Sequence, residues 1–236
     1  PVFGEGRGYL CRDKLIIHFL NFKVMGKIHP DLAGAFTRTI GGTVYYMRYG
    51  ENLARRKGVQ GENRQFSDAQ VLQQSKFGLL NTVGCSMRDV VEVGFPQRKR
   101  TQSGVNAFVQ ENQRVCRELG GGEVSLNYEE MLCAKGSLHP PFVQVSRDAS
   151  GIVFTNRPMA ERTASMQGND RVMVVVFDPV DGFCRSLELC KRGDEAMETV
   201  TLPDYWQQEN LVFYAFAISA GGTRASRSLY LVPEEG

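Results

Sequence analysis

Three features are scarce in this 236-residue chain, and each scarcity excludes something. Its only histidines, His18, His29 and His139, lie too far apart for a zinc constellation to be drawn from local spacing. The six cysteines, at positions 11, 85, 116, 133, 184 and 190, contain no C-x-x-C pair and no framework spacing. They read as free thiols of a reducing compartment, which favours a cytoplasmic location. Apolar runs such as Leu15 to Leu20 and Val172 to Phe177 are strand-sized, and none approaches the roughly 18 residues of a membrane-spanning helix. Arg12 and Lys14 before Leu15 have the outline of a secretory signal. The stretch is short, contains His18 and leads to no small-residue cleavage site, so a strand or a disordered extension is expected there. Chemical motifs are equally sparse. Gly120-Gly121-Gly122 lacks the following Lys-Ser/Thr of a phosphate loop, and no D-x-D-x-D-G calcium loop occurs. No metal and no cofactor is expected.

What the chain does have is a core and a division of charge. With 42% hydrophobic residues it can bury a sizeable interior as one large or two small domains. Residues 25 to 118 carry 14 Lys+Arg against 8 Asp+Glu, whereas residues 119 to 236 carry 10 against 16. The sign changes near Gly120-Gly121-Gly122, where apolar spacing also turns from helical to alternating. The expected organisation is therefore an extension over 1–24, a basic hairpin-and-helix module over 25–119 and an acidic β-sandwich over 123–236.

Within the basic module, Phe36 to Ile40 and Thr43 to Met47 flank Gly41-Gly42, a two-residue hairpin loop. A turn near Gly50 brings Leu53 to Lys57 alongside as a third strand. Alternation separates Tyr45 and Met47 from Tyr46 and Arg48, and one face of this meander is expected to be basic and aromatic. Ser67, with Gln70 at the capping-box position, starts a helix running to about Val83. A shorter helical segment passes through Met87, Val90 and Val91 and ends at Gly94 and Pro96. A third helix, capped by Ser103, is expected over Gly104 to Glu118. The meander is the nearest surface on which these helices can pack. From Val124 onward about eight strand candidates follow at sandwich spacing, with Asp178-Pro179-Val180-Asp181-Gly182 as a hairpin turn. The predicted fold class is α+β: a β-meander with two or three helices, then an all-β immunoglobulin- or fibronectin-like sandwich.

Particular residues give the chain a family likeness. They are Met25-Gly26-Lys27-Ile28, Gly34, Phe36, Gly42, Val44 and Arg48, Phe77, Gly94-Phe95, Asn106-Ala107-Phe108, and Ala134-Lys135-Gly136-Ser137-Leu138. Asn169-Asp170-Arg171-Val172, Phe177-Asp178-Pro179, Leu202-Pro203-Asp204, Tyr214-Ala215-Phe216 and Ser228-Leu229-Tyr230-Leu231 complete the set. From Met25 to about Val232 the chain resembles a bacterial family known as domain of unknown function 6266. The resemblance implies a Gly-rich basic hairpin with helices, followed by a β-sandwich, and carries no catalytic residues. The sequence departs from the family pattern at Tyr45-Tyr46, where a tryptophan is expected, and at Ala134-Lys135-Gly136, where Ser-Arg-Gly is usual. Residues 1–24 lie outside it.

Arg38, Tyr45, Tyr46, Arg48, Arg55, Arg56 and Lys57 form the candidate contact surface, cations for phosphates or acidic side chains beside aromatic faces for stacking. Arg64 and Tyr49 extend it. Against nucleic acid stands a chain pI of about 8.4, where dedicated binders usually exceed 9. Arg98-Lys99-Arg100 reads as an exposed, protease-sensitive loop. A cysteine nucleophile with His139 as base and Asp148 as orienter has no local support, and Cys133 and Cys184 read as core fillers. Asp178, Asp181, Asp194, Glu195 and Glu198 are explained by turn chemistry rather than calcium. The leading expectation is a non-catalytic interaction or assembly protein with a protein partner, itself or another. The second is nucleic-acid binding through the hairpin, and the third a cysteine hydrolase.

Overall fold

The computed structural model describes residues 26–28, 37–48, 50–58, 65–148, 151–159, 163–203, 206 and 208–235. The extension expected over residues 1–24 lies outside them, as do Tyr49 and Arg64. The chain divides into two compact units, Pro1–Gln65 and Phe66–Gly236.

The first unit is a four-stranded antiparallel sheet of β1 (Gly26–Ile28), β2 (Arg38–Ile40), β3 (Thr43–Arg48) and β4 (Glu51–Arg56), ordered β1-β4-β3-β2. Gly41, at φ +57, makes the tight turn between β2 and β3, a conformation that side chains with a Cβ rarely adopt. The hairpin expected from Gly41-Gly42 is present, and β1 adds a strand to it.

The second unit opens with α1 (Asp68–Ser86), α2 (Arg88–Gly94) and α3 (Gly104–Asn112). The capping box at Ser67 and Gln70 forms in both directions, and the Ser103 hydroxyl accepts from the Asn106 N–H. The third helix stops at Asn112, six residues before the expected end. A single 3-10 turn leads into β5 (Cys116–Gly120), which pairs antiparallel with β6 (Glu123–Leu126). Cys116 to Glu118 can therefore not be helical, because their backbone groups complete this hairpin. Gly120-Gly121-Gly122, all at positive φ, are its turn, so the charge reversal read at that point lies inside the second unit.

Two four-stranded sheets complete the unit. One is ordered β10-β9-β12-β13, from β9 (Arg171–Phe177), β10 (Cys184–Lys191), β12 (Val212–Ile218) and β13 (Leu229–Leu231). The other is ordered β11-β8-β7-β14, from β7 (Val143–Asp148), β8 (Gly151–Asn156), β11 (Ala196–Val200) and β14 (Glu234–Glu235). Among the strand pairings of the described residues, only that of β14 with β7 is parallel.

Strands β9 and β12 explain the layering. Their side chains alternate between two cores. Val172, Val174, Val176, Phe213 and Ala215 meet Val145, Ile152 and Phe154 of the second sheet. Val175, Phe177, Tyr214 and Phe216 meet Leu80, Val83, Val91 and Phe108 of the helices. The expected partner of the helices was the meander; the partner found is this sheet, whose unbroken run of apolar residues gives it two faces to cover. Each fully buried large side chain here contributes about 1.5–3 kcal/mol. The fold is thus α+β and mostly β, and the second unit is built in three layers. Among the described residues no helix is long and apolar enough to cross a membrane.

Candidate functional site

Strand register divides the candidate contact residues of the meander. Residues directly paired across antiparallel strands share a face. Arg38 pairs with Tyr45, and Thr43 with Arg56, which places Arg38, Tyr45 and Arg56 together. Tyr46 and Arg48 lie on the opposite face with Arg55. There the Arg55 guanidinium stands over the Tyr46 ring, 5.9 Å from its centroid, at cation–π distance. Both faces therefore carry arginine and tyrosine, where one basic and aromatic face was expected. Lys57 follows β4, and its N–H donates to the Gly42 carbonyl at 2.7 Å, closing the base of the hairpin. The arginines and Lys57 are exposed and the two tyrosines half-buried. The first unit holds 11 Lys+Arg against 5 Asp+Glu (+6) and the second 17 against 21 (−4).

Four thiols of the second unit, Cys116, Cys133, Cys184 and Cys190, are buried or half-buried and correspondingly poor nucleophiles. Burial pushes Cys133 up to about 12, with the Ser228 hydroxyl opposing the shift. Burial, aided by the Asp89 charge, takes Cys184 to about 12, and burial with Asp194 takes Cys190 to about 11. Desolvation also raises Cys116. At neutral pH these groups hold their protons, and the thiolate is the reactive form. His139 is exposed, its Nδ1 lies 2.9 Å from the Pro140 carbonyl, and its ring packs near Phe142. Asp148 accepts from the Gly151 N–H across the β7–β8 turn.

A cleft of about 390 Å³ opens between the end of α2, the face of α3 and the segment 135–137, lined by Phe95, Gln97, Lys99, Gln110, Lys135 and Ser137 among others. Its polar groups largely satisfy one another. Gln102 donates to Gln110 at 3.0 Å and Lys135 pairs with Glu111 at 2.6 Å. Arg98 turns inward, donating to the carbonyls of Glu92, Phe95 and Gln102 and pairing with the Glu92 carboxylate. The other Glu92 oxygen accepts from the Gly104 N–H, so Arg98 and Glu92 brace the connection between α2 and α3. The expected protease-sensitive loop is thus pinned at Arg98, while Lys99 and Arg100 are exposed.

Asp178 is buried, and its Oδ1 accepts from the N–H groups of Val180 and Asp181, the turn role read from sequence. Among the described residues no group of three or more His, Cys, Asp or Glu is placed to hold a metal ion.

A family model of unknown function, DUF6266, matches residues 35–232. The chain belongs to the DUF6266 family. No curated protein and no solved structure matches it. The DUF6266 match takes in β2 to β4, all three helices and every strand through β13, while the Met25-Gly26-Lys27-Ile28 motif precedes it. Motif residues that are far apart in the sequence meet at the cleft: Phe95, Ala107, Lys135, Gly136 and Ser137 all line it.

Two constellations escaped the sequence reading. Arg192 and Asp170 form a fully buried ion pair, Nε to Oδ2 3.3 Å, and the guanidinium donates to the His139 carbonyl at 2.6 Å and the Pro140 carbonyl at 3.3 Å. Burial lowers the Arg192 pKa, and Asp170 works against that shift. Asn112, also fully buried, ties α3 to the segment that follows β6. Neither stands out locally, since an isolated Arg or Asn in a sequence has the form of a solvated residue.

Proposed function

We propose that this DUF6266 protein is a non-catalytic interaction protein: an immunoglobulin- or fibronectin-like sandwich serves as rigid scaffold, and the basic meander docks on an acidic protein surface. The strand order supports the sandwich assignment. Three antiparallel strands β11-β8-β7 face four ordered β10-β9-β12-β13, the division of an immunoglobulin-type Greek key in which one edge strand has changed sheets. The raised thiols weigh against a cysteine hydrolase.

The observation that carries the proposal is the charge opposition between two compact units, +6 against −4. Opposite charge on one chain favours association with an acidic partner, including the acidic unit of a neighbouring copy. Size-exclusion chromatography with light scattering tests it. Assemblies that dissociate as salt rises, and that weaken in Arg55→Glu plus Arg56→Glu, are the expected result. A strict monomer from low to high salt removes the proposal.

One observation favours a second reading, nucleic-acid binding: the Arg55 guanidinium over the Tyr46 ring beside Arg48 combines a phosphate-binding cation with a stacking face. A gel-shift assay at low salt separates the two. Binding of single-stranded nucleic acid that is lost in the same double variant supports this reading, and binding unchanged by it rules out the meander.

A further inference from the structure

Helix α1 is 19 residues long, yet its buried side is confined to the C-terminal half, at Leu80, Val83 and Gly84. Amphipathic helices owe most of their stability to what they pack against. The outer face of α1 carries an exposed aromatic side chain, Phe77, at 52% exposure. Phe77 falls in a stripe with Gln70, Gln74 and Asn81, at successive spacings of four, three and four residues, the spacing of a helix–helix seam. The face is also without charge. Between Asp68 and Arg88 the only ionised side chain is Lys76, and it turns to the β5–β6 hairpin, where it pairs with Glu118 at 2.8 Å.

We propose that this face of α1 is a self-association surface, on which a second copy of the chain packs its own α1 antiparallel about Gln74 and Phe77. Three points select a second copy. An antiparallel twofold with its axis between residues 74 and 77 sets Phe77 against the partner's Gln74, and Gln70 against the partner's Asn81, so the stripe is complementary to itself. Carboxamides both donate and accept, which lets Gln and Asn meet their own kind. The second unit carries a net −4, and an uncharged face is where two like-charged bodies approach with least repulsion. An acidic partner or a nucleic acid finds no cation on it. Depletion of charge around an aromatic anchor is also the composition of an interface centre. A single helical seam is small, and the contact is correspondingly weak and concentration-dependent.

This surface is independent of the charge-driven docking proposed above, because salt acts on them differently. The test is sedimentation velocity of the full chain over a concentration series in low and high salt. The expected result is a monomer–dimer equilibrium that persists in high salt and weakens by about tenfold or more in Phe77→Glu, with the far-ultraviolet circular dichroism spectrum unchanged. Gln74→Glu, which sets a carboxylate against the negative face of the partner's ring and beside its own symmetry mate, gives the same weakening and carries the test if Phe77→Glu fails to fold. Met197→Glu, at an exposed position of β11 in the sheet farther from the helices, leaves the equilibrium unchanged. A monomer at every concentration, as when another part of the same chain covers the face, overturns the proposal. So does a dimer untouched by both α1 variants. Dissociation by salt alone overturns it too and leaves the charge-driven association standing.

Discussion

The side-chain amide of Asn112 binds both backbone polar groups of Leu132, its Nδ2 donating to the Leu132 carbonyl and its Oδ1 accepting from the Leu132 N–H, each at 2.8 Å. Nδ2 also donates to the Phe108 carbonyl at 2.9 Å. One buried side chain thus reproduces the two-bond exchange of a strand pair between a helix and an irregular segment. Asn112→Ala leaves the Leu132 N–H and carbonyl without these partners in a largely dry setting, and should cost about 2–4 kcal/mol of unfolding free energy in urea titration. Loss of hydrogen-exchange protection at Leu132 ahead of the sheet amides is the accompanying sign. An Ala variant as stable as the parent would mean that the clamp is incidental.

Two glycines sit where a Cβ has no room. A Cβ on Gly94 would lie 2.4 Å from the Cys133 carbonyl oxygen, and one on Gly136 would lie 2.2 Å from that of Ala225. Both obstacles are backbone, which gives way only if the segment that carries it moves. Gly94→Ala and Gly136→Ala are expected to destabilise by about 1–3 kcal/mol or more. Gly78, mid-helix with nothing within 4 Å of its would-be Cβ, is the internal contrast. Gly78→Ala should stabilise by about 0.5–1 kcal/mol through helix propensity. Melting temperatures of the three variants check the opposite signs together.

Arg192 and Asp170 are each about 1% exposed, and removing one partner strands the other's charge. Arg192→Met or Asp170→Leu alone should cost about 3–5 kcal/mol, whereas the two together should recover much of that loss. A double-mutant cycle by denaturant titration measures the difference. The guanidinium also holds the His139 and Pro140 carbonyls, so recovery by the apolar pair is expected to be incomplete. Full additivity of the two single losses would remove the coupling.

The parts of this fold that could be read in the sequence are those with local causes. Ser67 with Gln70, Ser103, the Gly41-Gly42 hairpin and the Asp178 turn each satisfy backbone groups within a few residues, and each appears where the sequence indicates. The identity of the basic and aromatic residues in the meander was legible for the same reason. The separation of Tyr45 from Tyr46 and Arg48 was legible from alternation, but the faces taken by Arg55 and Arg56 were not, because they depend on pairing β4 to β3 with Arg56 opposite Thr43. The three-layer arrangement is likewise non-local. The run from Val172 to Phe177 announces a buried strand without saying that alternate residues serve two cores. Val109 and Val115 carry helical spacing past the point where α3 ends, since nothing nearby shows that Cys116 to Gly120 have a strand partner in Glu123 to Leu126. Arg98, Asn112 and Arg192 are polar residues whose partners lie on other segments, and only the folded chain brings those within reach.

Cys133 makes the fold sensitive to alkali in a way that a single substitution isolates. Its thiol is held up to about 12 by burial, whereas a cysteine in an unfolded chain loses its proton near 8.5. Between those values the unfolded chain binds fewer protons than the native one, so stability falls as pH rises. The contribution is fully present below about pH 8.5 and is lost progressively up to about 12, at no more than about 1.4 kcal/mol per pH unit. Cys133→Ala lowers stability at every pH by creating a cavity, yet it removes this dependence. Denaturant midpoints of the parent and the variant at several pH values across that window should therefore converge as pH rises. The other raised groups, Cys116, Cys184, Cys190, Tyr128 and Tyr214, titrate in both proteins and largely cancel in the comparison. Parallel curves would show that Cys133 ionises in the native protein as readily as in the unfolded chain, against its complete burial beneath Ser228.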